Sequence, residues 1–98
     1  MEYLTVEPGR VVTSLQGRDR SRSFVVLSVV DDQYVMMADG CTRKLDHPKK
    51  KKRKHLHVRP VLIPGIGEKL SARQLLDSDV RKALEAAGYG MRQPLKEG

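Results

Sequence analysis

The sequence has no tryptophan, a single phenylalanine, three tyrosines and a single cysteine in 98 residues. A lone cysteine excludes an internal disulfide and a multi-cysteine zinc site, and Cys41, placed just after a turn, reads as an ordinary small residue. With so few aromatics, and Phe24 expected in the core, neither a groove for proline-rich peptides nor a cage for methylated lysine can be assembled. No apolar run approaches the length of a membrane-spanning helix or a signal peptide, because MEYLTVEPGR is interrupted by Glu2, Glu7 and Pro8. A soluble, cytoplasmic protein without a membrane partner is expected. Catalytic machinery is missing as well: no glycine-rich phosphate loop opens a helix, no motif surrounds Cys41, and the carboxylates are scattered. No enzyme activity, cofactor or small-molecule substrate is expected. His55 and His57, two apart on a strand, share a face only with each other, so no metal site is expected from them and His47.

What the chain has in excess is positive charge. Nineteen Lys and Arg against twelve Asp and Glu give a net charge of +7, which makes a polyanion the first partner to consider. Nucleic acid ranks ahead of a lipid surface, since the basic run Lys49 to Lys54 has no hydrophobic face beside it. The length allows one small domain.

Gly9 to Gly40 organises that domain. Three runs rich in Val, Leu, Met and Tyr are separated by short polar breaks carrying glycine or paired acids, the pattern of consecutive antiparallel strands in a small β-barrel. The first strand, Arg10 to Leu15, places Val11, Thr13 and Leu15 on one face. The second, Phe24 to Val30, is apolar on both faces except at Ser28, and Val25, Leu27 and Val29 are expected inward. Asp31, Asp32 and Gln33 turn the chain into Tyr34 to Ala38, and Asp39-Gly40 makes a hairpin-type turn into a short fourth strand around Thr42 to Leu45. Pro48 and the six cations Lys49 to Lys54 then form a loop anchored at each end, projecting charge from the rim, before Leu56 and Val58 close the barrel. In the first break, Gly17 supplies a positive φ or a close approach, among Arg18, Arg20 and Arg22.

After Val58 the texture changes. The stretch RPVLIPGIGEK reads as a linker or arm over 59–70, lying against the barrel. Ser71 and Gln74 make a capping-box pattern for a helical turn at 72–76, and Asp77 or Ser78 opens a helix near 79–87 whose stripe of Leu76, Val80, Ala83, Leu84 and Ala87 packs on the domain or a neighbour. Gly88 ends that helix, and Tyr89 to Gly98 reads as a frayed tail. The expected division is a barrel at 1–58, the arm at 59–70 and a helix with tail at 71–98.

Gly9-Arg10-Val11-Val12, Gly17-Arg18-Asp19, Phe24 to Val30 followed by Asp31, Tyr34 to Met37, Asp39-Gly40 and the basic strand Lys52 to Leu56 together resemble the KOW family. Within it they are similar to the KOW-bearing large-subunit ribosomal proteins of archaea and eukaryotes and their short bacterial relatives. The resemblance covers slightly more than half of the chain, and residues after Val58 fall outside it. It implies a small SH3-like barrel that binds ribosomal RNA or sits on the ribosome, with the loop and the basic segments facing RNA phosphate; with the helix read from its own periodicity, the expected fold class is mainly β, a five-stranded SH3-like barrel with a C-terminal α-helical extension. Where the family often has a second glycine in GRDxGK, this chain has Ser21.

The residues expected to meet RNA phosphate are Arg10, Arg18, Arg20, Arg22, Lys49, Lys50, Lys51, Lys52, Arg53, Lys54 and His55, with Gly17 as the turn residue. Guanidinium groups suit phosphate forks and stacking on unpaired bases. PKKKKRK also resembles a nuclear-import signal, a weaker account beside the KOW resemblance. The competing expectation is a protein-interaction module, in the manner of KOW domains of NusG-type elongation factors, docking on a ribosomal protein or RNA polymerase through the barrel and the helix.

Overall fold

Val11, Val12 and Thr13 put three β-branched residues in succession, and they lie in an interior strand of one antiparallel sheet. A computed structural model describes residues 4–90. Strands β1 (Arg10–Ser14), β2 (Ser23–Val29), β3 (Tyr34–Ala38), β4 (Lys49–Lys52) and β5 (Leu56–Leu62) pair in the order β4-β3-β2-β1-β5, followed by helices α1 (Ile66–Ser71) and α2 (Asp77–Ala86). The fold is mainly β with a C-terminal helical extension. The sheet is open: β4 and β5 are its two edges, joined by a single 3₁₀ turn over Arg53–His55, so a barrel describes it only approximately.

Both faces of the sheet are buried, which is why β2 is apolar without a break from Phe24 to Leu27 and why every residue of β1 is buried, its polar ones included. Val11, Val25, Leu27 and Ala38 pack under the helices with Ile66, Leu75, Val80 and Leu84. Val12, Phe24, Val26, Val35, Met37 and Leu56 pack together on the other face. Val25 and Leu27 are buried as expected, on the face covered by the helices, and only Val29 departs from the inward assignment. Val29 is exposed beyond a bulge between Val26 and Ser28 that resets the alternation.

Three further expectations about the strands change. Thr42 to Leu45 is no strand, because Asp39 turns the chain there. Its carboxylate accepts bonds from the Cys41 and Arg43 amides at 2.9 and 2.8 Å and from the Thr42 hydroxyl at 2.6 Å. The fourth strand is the lysine run itself, paired Tyr34 to Lys52, Val35 to Lys51, Met36 to Lys50 and Met37 to Lys49. Lysine is a weak strand former but is well tolerated on an edge. Strand β5 continues past Val58 to Leu62, on the other edge, where Pro60 costs no ladder bond and the pairing with β1 shifts register.

The helical turn expected at 72–76 lies earlier, at Ile66–Ser71, and Ser71 ends it. The amides of Arg73 and Gln74 donate to the carbonyls of Leu70 and Lys69, a Schellman closure with Arg73 at φ 60. Helix α2 opens two residues earlier than expected: the Leu76 amide donates to the Asp79 carboxylate at 3.0 Å. It ends on Gly88 with the same closure, the Tyr89 amide donating to the Leu84 carbonyl. Val80 and Leu84 lie in the core against the chain's own sheet. Of the expected tail, Tyr89 and Gly90 are ordered here, Tyr89 packing on that core, and the remainder lies outside the described residues.

Candidate nucleic-acid interface

Six cations in succession cannot all point the same way on an extended strand. Alternation sends Lys49 and Lys51 to one face of β4 and Lys50 and Lys52 to the other. On the first face, Lys51 is buried and donates to the Asp19 carboxylate at 3.0 Å and to the Gln16 carbonyl at 2.7 Å, while Lys49 lies 3.2 Å from the other Asp19 oxygen. On the second, the Lys50 ammonium sits 4.8 Å and that of Lys52 5.9 Å from the centre of the Tyr34 ring. The ring's negative face holds both charges at the surface.

Asp19 belongs to the loop between β1 and β2, and the ion pair ties that loop to the far edge of the sheet. The Ser14 hydroxyl donates to the same carboxylate at 2.7 Å. Burial alone pushes the Asp19 pKa up, but Ser14, Lys51 and Lys49 together outweigh it and lower the group from 3.8 to about 2. Asp19 therefore pairs with lysines 30 or more residues distant, and the neighbouring arginines are left at the surface.

That loop turns at Gly17 and again at Ser21, with φ of 89° and 74°. A Cβ at Gly17 would meet its nearest neighbours at an ordinary 3.5 Å, so the backbone conformation and not space is what favours glycine there. Ser21 takes the left-handed conformation that a glycine would adopt more cheaply, and its amide bonds the Ser14 carbonyl at 2.8 Å. Arg18, Arg20 and Arg22 are exposed along this loop.

The eleven expected contact residues thus separate. Arg18, Arg20, Arg22, Lys50 and Lys54 are exposed, and Lys49, Lys52, Arg53 and His55 half-buried. Arg53 donates to the Asp32 carbonyl at 3.3 Å. Arg10 and Lys51 face inward. Arg10 donates to the carbonyls of Thr5 and Arg59 at 2.7 and 3.4 Å, fastening the N-terminal lead to β5. Tyr34 carries no sequence signal of a site, because an aromatic after an Asp-Asp-Gln turn reads as a strand start. Its partners in space are lysines 16 and 18 positions downstream. Among the described residues, no three metal-ligating side chains converge, and no helix is long and apolar enough to cross a membrane.

No family model matches the chain. It is 31% identical over 84 residues to the large ribosomal subunit protein eL14 of Pyrobaculum calidifontis, a match spanning 85% of this chain and 75% of that protein. The protein of the same name from Pyrobaculum neutrophilum is 30% identical over 94 residues, spanning 93% and 84% of the two chains, and that from Pyrobaculum arsenaticum is 33% identical over 84 residues. These matches are too long to stop at Val58. The similarity extends into the two helices, where the sequence motifs gave no sign of it.

Proposed function

The chain belongs to the eL14 family of large ribosomal subunit proteins, and from that premise we propose that it is a non-catalytic ribosome-associated protein that binds ribosomal RNA through the phosphate backbone. The observation that carries this reading is the division of the lysine run. A strand that used all its cations to hold the fold would add nothing to the charged surface, whereas β4 turns Lys50 and Lys52 outward over Tyr34, next to Lys54 in sequence. With Arg18, Arg20, Arg22, Lys49, Arg53 and His55 they supply phosphate contacts that read charge and shape more than base identity. Arg10 and Lys51 act beneath this surface as supports, through their internal bonds. Ribosomal proteins are further partners in this reading, and the cytoplasm is its place of action.

About six engaged phosphates give a log-log salt slope of roughly −4 to −5. The test is cosedimentation with ribosomes from the protein's own cells, at low and high salt. Comigration with the large subunit at low salt and release at high salt is the expected result. Absence from every ribosomal fraction at low salt overturns the reading.

A further inference from the structure

Behind the β1–β2 loop lies a cleft of about 270 Å³, lined by Arg18, Arg22, Thr42, Arg43 and Lys49 with Phe24 at its floor. We propose that this cleft seats a single phosphate group, with Arg43 as a ligand. The inference rests on the RNA-binding reading for its principal source of phosphate, an RNA strand; a free phosphate ion is the other source of the same chemistry.

Charge carries the argument first. Four cations reach the cleft from three separate segments, and the one carboxylate at its wall, Asp19, is shared between Lys49 and the buried Lys51, which lies outside the lining. The excess is positive and concave, the arrangement that concentrates an anion. A base is a poor occupant, because Phe24 is 0% exposed and offers no ring face for stacking. Guanidinium forks on two sides match the oxygens of one phosphate.

Rigidity carries it second. Arg43 sits on a loop that is fixed from both sides. Asp39 holds the Arg43 amide, and the Arg43 carbonyl accepts from the amides of Asp39 and Gly40 at 2.9 and 3.0 Å. Helix α2 grips the same loop: the Arg81 guanidinium donates to the Gly40 carbonyl at 2.9 Å and the Leu45 amide to the Asp77 carboxylate at 2.8 Å. The Arg43 side chain itself is exposed and makes no hydrogen bond or ion pair among the described residues. A fixed backbone that presents an unengaged guanidinium to a cationic cleft is preorganised for an anion.

The experiment measures affinity for large-subunit ribosomal RNA across a potassium chloride series, for the wild type, Arg43→Gln, Arg43→Lys and Lys44→Gln. Lys44 is the exposed neighbour that does not line the cleft. A seat predicts about tenfold weaker binding for Arg43→Gln, a several-fold loss for Arg43→Lys at unchanged salt slope, and little change for Lys44→Gln. In parallel, inorganic phosphate is titrated at constant ionic strength while the arginine Nε–H resonances are followed. Saturable shifts at Arg18 and Arg43, absent in Arg43→Gln, support the seat. If RNA affinity is untouched by Arg43→Gln while those shifts persist, the seat stands and its source is free phosphate. Equal weakening by Arg43→Gln and Lys44→Gln, with no saturable phosphate shift, overturns it. Failure of the wild type to bind RNA at all overturns the RNA-binding reading, and the phosphate titration then decides the seat alone.

Discussion

The Lys51 ammonium and the Asp19 carboxylate meet at 3.0 Å across 32 residues of sequence, joining an edge strand to the loop between β1 and β2. Both groups are largely withdrawn from water, so removing Lys51 leaves the Asp19 carboxylate with only Lys49 and the Ser14 hydroxyl to offset its burial. Lys51→Ala is expected to destabilise the fold by about 2–4 kcal/mol, while Lys50→Ala, next to it but outward, stays within about 0.5 kcal/mol. Urea denaturation of the two variants tests this. Equal effects would mean that the strand does not sort its lysines by face. Replacing all of Lys49 to Lys52 together therefore confounds unfolding with lost binding, and Lys50→Ser with Lys52→Ser is the cleaner pair for RNA work.

The same carboxylate sets a pH dependence. Its folded pKa of about 2 lies below the ordinary 3.8, so the unfolded chain takes up the proton first as the pH falls. The stabilisation, about 2 kcal/mol, is present in full above the unfolded value and is lost as the pH drops from about 4 towards 2. In Asp19→Asn that part of the acid loss should vanish. Unfolding free energies of wild type and variant that run parallel between pH 5 and 2 would show that Asp19 contributes no linkage.

Much of this architecture was legible in the residues, and the exceptions have identifiable physical causes. Strands β1 to β3 announce themselves by β-branched runs and Asp-Gly or Asp-Asp breaks. Strand β4 does not, because four lysines carry no hydrophobic alternation; its face pattern exists only once Asp19 and Tyr34 are placed opposite it. Helix α1 was hidden for a similar reason. Its terminator is Arg73 in a left-handed conformation, where the usual sequence signal is glycine. Arg43 is not legible as a site residue because a Thr-Arg-Lys-Leu stretch after a turn looks like a strand, and the Asp39 side chain that instead folds it into a loop bonds only locally.

Ser21 is a second residue that holds a left-handed backbone without being glycine, at φ 74. Left-handed geometry costs a non-glycine residue roughly 1–2 kcal/mol, partly offset by the larger unfolded-state entropy of glycine. Ser21→Gly should raise stability by about 0.5–1 kcal/mol, and Ser21→Val should lower it, with the Ser14 and Asp19 bonds intact in the first case. Thermal melts decide the sign. A destabilised Ser21→Gly would mean that the serine side chain contributes more to the loop than its backbone strain costs.

Helix α2 separates the two expected uses of its stripe. Val80 is 0% exposed and Leu84 2%, whereas Leu76 at its N-terminus is 61% exposed. Val80→Asp and Leu84→Asp each place a charge in the core and should cost at least about 3 kcal/mol, so any loss of ribosome association they cause is unfolding. Leu76→Asp should change stability by no more than about 0.5 kcal/mol. If the helix serves only to cover the sheet and hold the loop that carries Arg43, Leu76→Asp also leaves cosedimentation with the large subunit unchanged. Lost cosedimentation with an unaltered melt would instead identify the exposed end of α2 as a protein-docking surface, because a single carboxylate there lies outside the cation-lined cleft and leaves the fold as it was.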